Sequence, residues 1–118
     1  MATKTPTLTW LPDSGTKRGA LYQWRLDNGD VGAVIDAMET RDHLVQVEGD
    51  FGVGGKVVIE GSIDGEHYHP MTDHFGGAVA FDDAGMKRTT EVVRHLRPAC
   101  VAGDNTTALV VSLVGRKV

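Results

Sequence analysis

His67 and His69 alternate along one short stretch, and His74 follows, with Asp64 and Asp73 close by in sequence. Two imidazoles at i and i+2 of a strand point to the same side, and such a pair can supply two corners of a tetrahedral zinc site. A third ligand is not fixed by the spacing, and solvent-facing strand positions carry histidine without any metal. The pattern therefore leaves His67, His69 and His74 as candidate ligands and no more.

Other groups that could do chemistry lack the partners their chemistry needs. Asp27-Asn28-Gly29-Asp30, Asp82-Asp83 and Gly103-Asp104-Asn105 are acidic turns. None has the Asp-x-Asp-x-Asp-Gly order and closing Glu of a calcium loop. Asp and Asn fit there as turn residues that hydrogen-bond their own backbone. Gly49-Asp50-Phe51-Gly52-Val53-Gly54-Gly55-Lys56 invites a phosphate-loop reading. That loop needs Gly, four residues, then Gly-Lys-Ser/Thr opening a helix. Here Asp50 stands five before Gly55, Val57 follows Lys56, and a strand follows. There is no Gly-x-Ser-x-Gly elbow and no His-Glu-x-x-His, and Cys100 lacks a motif around it. Adjacent carboxylates such as Asp82-Asp83 would point apart on a strand. The expectation is a protein that is not an enzyme and needs no cofactor.

The elements that would hold these residues are strands. Val57 to Ile63 places Val57, Ile59 and Ile63 on one face and Val58, Glu60 and Ser62 on the other, the period of a half-buried strand. Asp64-Gly65 then reads as a tight type I′ turn, with a short return strand from His67 that closes at Pro70 and Met71 near a sheet edge. Leu21 to Leu26 alternates with Tyr22, Trp24 and Leu26 on one side; after Asn28-Gly29 it is expected to pair as a hairpin with Val31 to Ile35. Asp36 to Asp42 is too short for more than a helical turn. His43 to Glu48 follows with Val45 and Val47 facing in, and Ala78 to Phe81 adds a short strand. Glu91 to Ala102 holds one or two more, with Pro98 pushing its middle to an edge or bend. Thr107 to Val114 is apolar on both faces, which places it centrally or under cover on both sides. Eight or nine strands at this spacing, with 15 glycines for the turns, predict an all-β, single-domain antiparallel sandwich.

At 118 residues the chain can bury roughly two-thirds of its unfolded surface without staples. Its single cysteine, Cys100, cannot form an internal disulfide and reads as a core thiol. The net charge of −4, with Lys and Arg scattered, lacks the basic stripe of a nucleic-acid binder. The first ten residues have no apolar core of a signal peptide and no run approaches a membrane span, so assembly in a cytoplasm, with neither nucleic acid nor membrane as partner, is expected. Residues 1–19 read as an N-terminal arm and linker, and residues 20–118 as the sandwich. Leu8, Trp10 and Leu11 in the arm, and Phe51 in its glycine-rich loop, are the candidate partner contacts. Exposed aromatics in loops are typical interface anchors, and packing back onto the chain's own sandwich is the competing expectation.

Gly49-x-Phe51-Gly52, leading into Val58-Ile59-Glu60-Gly61-Ser62-x-Asp64-Gly65-x-x-Tyr68-x-x-Met71-Thr72-Asp73, resembles small virion proteins of tailed bacteriophages. The pattern continues through Gly76-x-Ala78-x-Ala80-Phe81, Leu96-Arg97-Pro98 and Gly103-Asp104-x-Thr106-Thr107-Ala108-Leu109, so it spans roughly Tyr22 to Leu113. The resemblance is to capsid decoration, or cement, proteins with a jelly-roll-like sandwich on the outer shell. It implies a virion protein, assembled in the host cytoplasm, that bridges major capsid protein subunits and stabilises the head. Self-association as a dimer or trimer is expected because symmetric shells present symmetric sites. Ser62-x-Asp64-Gly65-x-x-Tyr68 also resembles a turn of discoidin-type jelly rolls, where it belongs to the scaffold, with Tyr here in place of Trp. The alternatives are a carbohydrate-binding module on a virion surface, which would present several exposed aromatics on a concave face, or another minor head or tail protein.

Overall fold

In a computed structural model, residues 2–13 and 16–117 are described. Met1, Val118 and Ser14-Gly15, the last at the centre of the expected linker, lie outside the described residues. Twelve strands form among the described residues: β1 (Thr3–Lys4), β2 (Thr7–Asp13), β3 (Thr16–Asp27), β4 (Val31–Gly32), β5 (Ile35–Asp36), β6 (Thr40–Asp50), β7 (Lys56–Ser62), β8 (His69–Pro70), β9 (Ala80–Phe81), β10 (Gly85–Arg88), β11 (His95–Ala102) and β12 (Ala108–Lys117). A 3-10 turn, Ala37–Glu39, is capped by the Asp36 carboxylate.

They build two sheets, one ordered β10-β6-β12-β3-β2 and the other β1-β4-β11-β7-β8, with β5 on β11 and β9 on β7. Apart from the parallel pair β1–β4, the pairings are antiparallel. With β4/β5 and β8/β9 each taken as one interrupted strand, and β1 and β2 as additions, the main strands number one to eight along the chain. The sheets then run 1-8-3-6 and 2-7-4-5. That order is a jelly roll, two Greek keys wrapped into a sandwich.

The core sits between the sheets and is filled by the alternating faces. Tyr22, Trp24 and Leu26 of β3, Val45 and Val47 of β6, Val57 and Ile59 of β7, and Leu109, Val111 and Leu113 of β12 are all buried. Each such aliphatic side chain contributes about 1.5–3 kcal/mol by leaving water. β12 lies at the centre of its sheet, paired to β3 on one side and β6 on the other. Its second face, Val110 and Val114, is half-buried. Cys100 is a buried free thiol whose pKa burial pushes up.

Three expectations need correction. Asp64-Gly65 does not close a two-residue turn: the β7–β8 register pairs Gly61 with His69, so the loop is wide. Gly65 has φ 78°, but Asp64 is not left-handed, and a type I′ turn requires both. Asp64 instead uses its carboxylate to gather the backbone N–H groups of Glu66 and His67, at 2.8 and 2.9 Å. Ile63 consequently falls outside the strand and is 76% exposed, not inward with Val57 and Ile59.

Val31 to Ile35 does not return along β3. After the Asp27–Asp30 turn the chain crosses to the other sheet, where β4 and β5 pair with β11. The crossing is fixed from both sides. Trp24 Nε1 donates to Ala33 O at 3.1 Å, and Gly32 lies so close beneath that an added Cβ would sit 2.5 Å from Pro98 Cδ and 2.7 Å from Trp24 Cδ1.

Pro98, expected at an edge or bend, lies mid-strand in β11, between β7 and the β4/β5 pair. The Cys100 N–H donates to Asp30 O and Arg94 O accepts from Ala37 N, so even-numbered residues of β11 turn their backbone groups toward β4/β5. Pro98 therefore aims its missing donor at the gap between those two short strands, and no ladder bond is lost.

The segment read as arm and linker is built into the sheets where it is described. β1 pairs with β4, and β2 pairs with β3 from Thr7↔Gln23 to Asp13↔Thr16, forming the outer strand of its sheet.

Candidate functional site

One end of the sandwich gathers the chemistry. The 3-10 turn joins β5 to β6 there, residues 63–68 leave β7, and residues 89–94 join β10 to β11. Backbone bonds tie these segments together: Thr89 N to His43 O, Thr90 N to Thr72 O and Ala37 N to Arg94 O. The five histidines, spread from His43 to His95 in sequence, all lie at this end. His43 and His74 line one cavity, His67 and His69 line a neighbouring groove, and His95 sits beside Gly65.

The cavity, of about 620 Å³, is walled by residues 40–43, 88–93, Ala37 and His74. Asp42 is central to it. Its φ of 56° is the positive value among non-glycine described residues, a conformation L side chains adopt only when the surroundings enforce it. Its carboxylate receives Arg88 at 2.9 Å and Arg116 at 4.0 Å. Arg41 stands directly opposite Arg116 across the β6–β12 pair. Deeper, His43 Nε2 lies 2.8 Å from Thr40 Oγ1. Both side chains are buried, and Gly115 makes the room: an added Cβ would meet Thr40 at 2.7 Å. Burial drives the His43 pKa down, and the Asp42 charge only partly opposes it, so the imidazole is neutral at pH 7. Because this hydroxyl–imidazole pair is sealed in the wall, it acts as packing.

On the 89–93 segment, Thr89 is 5% exposed and its Oγ1 has no hydrogen-bond partner among the described residues. Glu91 is anchored by the Thr72 N–H and hydroxyl and by Thr90 Oγ1. Burial would raise its carboxyl pKa, but those bonds outweigh it and hold it below the ordinary value.

The adjoining groove, about 420 Å³, is lined by Ile63, Met71 and Val93 with His67, His69 and Asp64. Asp64 is held far below the usual carboxylate range, first by the His67 N–H and ring, then by the Glu66 N–H. His67 Nδ1 lies 2.7 Å from Asp64 Oδ2, and Ser62 Oγ donates to Oδ1. Replacing Asp64 with alanine is expected to speed amide exchange at Glu66 and His67 at least ~10-fold while leaving the global urea midpoint nearly unchanged, because local openings are independent of global unfolding. In the wild type, the depressed folded pKa means this closure persists as pH falls below 3.8 and is lost only as pH passes through the depressed value.

The structure separates the metal candidates. His67 and His69 share the groove while His74 belongs to the cavity and packs on Phe75 at 4.0 Å between ring centroids. Among the described residues no group of three or more His, Cys, Asp or Glu is placed to hold a metal ion.

The expected partner contacts do not line this cavity or groove: Leu11 shares a cross-strand row with Arg116 and Arg41 but lies on the outer strand β2. Trp10 and Phe51 are half-buried against the core, and Leu8 and Leu11 are 46% and 37% exposed on β2. Phe51 lies at the opposite end, where Thr107 Oγ1 donates to its carbonyl and Asp104 receives the Val53 N–H. Of the seven aromatic residues, Phe75 alone is mostly exposed, so the several-aromatic face expected of a carbohydrate module is not formed. Sequence reading passed over Arg41, Asp42, Arg88 and Thr89. Only the polar run Thr40-Arg41-Asp42-His43 hinted at them, and nothing local joins that run to residues 88–93.

No known sequence family and no curated protein sequence matches the chain. Among solved structures, the SPBc2 prophage-derived protein YomS is similar at TM-score 0.62 and 8% identity, over 84% of this chain and 95% of that one. A cupin domain from Bordetella pertussis Tohama I aligns over 100% of this chain and 99% of its own at TM-score 0.45 and 14% identity. The CENP-C cupin domain of Drosophila melanogaster gives TM-score 0.39 and 14% identity, over 93% and 70%. At the first of these scores and at 8% identity, what this chain shares with YomS is its fold.

Proposed function

We propose that this chain is a structural protein of a tailed-phage particle, seated on the outer surface of the head and contacting the major capsid protein through the loop end of the jelly roll. The observation that carries the reading is the exposure of large apolar side chains on loops of that end: Phe75 at 86%, Val92 at 85% and Ile63 at 76%. Apolar groups so exposed, beside grooves, mark interaction surfaces rather than core. The sequence resemblance to decoration proteins and the shared fold with a prophage-derived protein support the particle; bridging of capsid subunits, and self-association through β2 with its Leu8 and Leu11, belong to the same proposal.

The test is co-sedimentation with purified heads. Saturable binding at a fixed copy number per capsid subunit is expected. The double variant Phe75→Ser, Val92→Ser should bind at least ~10-fold more weakly, as expected for interface anchors, with an unchanged melting temperature. No binding to heads of either the expanded or unexpanded form would refute the reading, whereas undiminished binding by the variant would move the contact elsewhere on the sandwich.

A further inference from the structure

Two guanidinium groups, Arg41 and Arg88, line the 620 Å³ cavity, and a third, Arg116, approaches Asp42 of its wall, in a chain whose net charge is −4. Asp42 answers Arg88 at 2.9 Å and reaches Arg116 only at 4.0 Å. Glu91 is committed to Thr72 and Thr90. Counting both carboxylates, Asp42 and Glu91, against the three guanidiniums leaves one net positive charge, and Arg41 makes no ion pair among the described residues. Like charges directly opposite on paired strands repel, yet Arg41 and Arg116 are held opposite one another.

Two further features belong to residues of the cavity wall. Asp42 is kept in a left-handed conformation at φ 56°, which turns the chain between Arg41 and His43. Thr89, in the cavity wall, is 95% buried with an unpartnered hydroxyl, a group that natural structures rarely leave orphaned unless a ligand or water completes it.

We propose that this cavity is a carboxylate-binding site. Arg41 supplies the planar pair of donors that a carboxylate accepts, Arg88 stays on Asp42, and the Thr89 hydroxyl gains the partner it lacks. A single excess charge suits a monoanion. A dianionic phosphate would bring two charges beside the Asp42 and Glu91 carboxylates, more than one net positive charge offsets. The carboxylate has two sources, a free small acid or an acidic side chain of a docked protein. The site does not depend on the head-binding reading.

The experiment is a titration of the full chain followed by amide and arginine Nε–H chemical shifts. The probes are sodium acetate and an end-blocked Gly-Glu-Gly peptide, with sodium phosphate and sodium chloride at matched ionic strength. Saturable shifts at Arg41, Thr89 and Thr90 with Kd on the order of millimolar are expected for a carboxylate probe, with phosphate weaker. Arg41→Gln should weaken binding at least ~10-fold, the range of a charge-assisted hydrogen bond. Thr89→Val should weaken it about 3–10-fold without lowering the melting temperature, since it removes an orphaned hydroxyl at nearly constant volume. Tighter binding of the peptide than of acetate would assign the site to a protein side chain, and the reverse to a free acid. Shifts reproduced by chloride alone, or full affinity in Thr89→Val, would overturn the proposal. Loss of head binding with acetate binding intact would count against the particle reading only.

Discussion

Replacing Trp24 with alanine is expected to destabilise the protein by about 4–5 kcal/mol, near the top of the range for a large core aromatic, and it should leave little folded protein at 37 °C. Trp24 is 1% exposed, is among the largest fully buried side chains, and stacks beside Tyr22 at 6.2 Å. It also holds the crossover between the sheets through its bond to Ala33 O and its contact with Gly32. The loss therefore combines a cavity with a missing hydrogen bond at the point where the two sheets are joined. Trp24→Phe keeps most of the volume and loses the donor, so it should cost about 1–3 kcal/mol, the penalty for leaving a buried acceptor unpaired. Urea denaturation of both variants checks this. Equal costs would mean that the indole N–H, not the volume, secures the crossing.

A second large effect is expected at Asp30, which is 5% exposed. Its carboxylate receives the backbone N–H groups of Asp27 at 2.8 Å and Ala2 at 3.1 Å, and Lys4 Nζ lies at 3.4 Å. These bonds close the turn after β3 and pin β1 onto β4. Asp30→Ala leaves the two N–H donors without their acceptor. Lys4, 37% exposed and 3.7 Å from Asp27, keeps water and a second carboxylate, so the cost should be about 2–3 kcal/mol. Burial by itself would raise the Asp30 pKa, but the Asp27 and Ala2 N–H groups and then Lys4 outweigh it, so the pKa lies below 3.8. A depressed folded pKa means the unfolded chain binds the proton first on acidification. Stability from Asp30 is thus complete above 3.8 and is lost as pH falls through the folded value. His43 adds an earlier step of the same sign. Its folded pKa is also depressed, from 6.5, so stability should begin to fall as pH drops below that value. Melting temperature against pH should show both declines, and Asp30→Ala should make the lower one shallower, with Glu91 and the other hydrogen-bonded carboxylates supplying the rest. A single decline confined to the region below pH 4 would mean that His43 stays accessible to protons in the fold.

The residues that settle strand identity were legible because alternation is a property of a few consecutive residues. Tyr22-x-Trp24-x-Leu26, Val45-x-Val47 and Thr107-x-Leu109-x-Val111-x-Leu113 each declare a buried face. A β-branched run between turn residues can do little else. The turns at Gly29 and Gly103 adopt positive φ, as their residue types favour. The Asp64-Gly65 signal was misleading because a carboxylate that can reach three neighbouring donors competes with the tight turn.

By itself, then, the sequence determined that this is an all-β chain and, for β3, β6, β7 and β12, where the strand runs and which face is buried. β10 and the strands of the first thirteen residues were not legible. Only the tertiary structure decided which strands are neighbours. A ladder hydrogen bond is equally good between residues eight or eighty apart, so pairing is chosen by how whole faces pack. That is why Val31–Gly32 left β3 for β11, why Pro98 is tolerated mid-sheet opposite a gap, and why Arg41, Asp42, Arg88 and Thr89 meet at one cavity although no local pattern joins them.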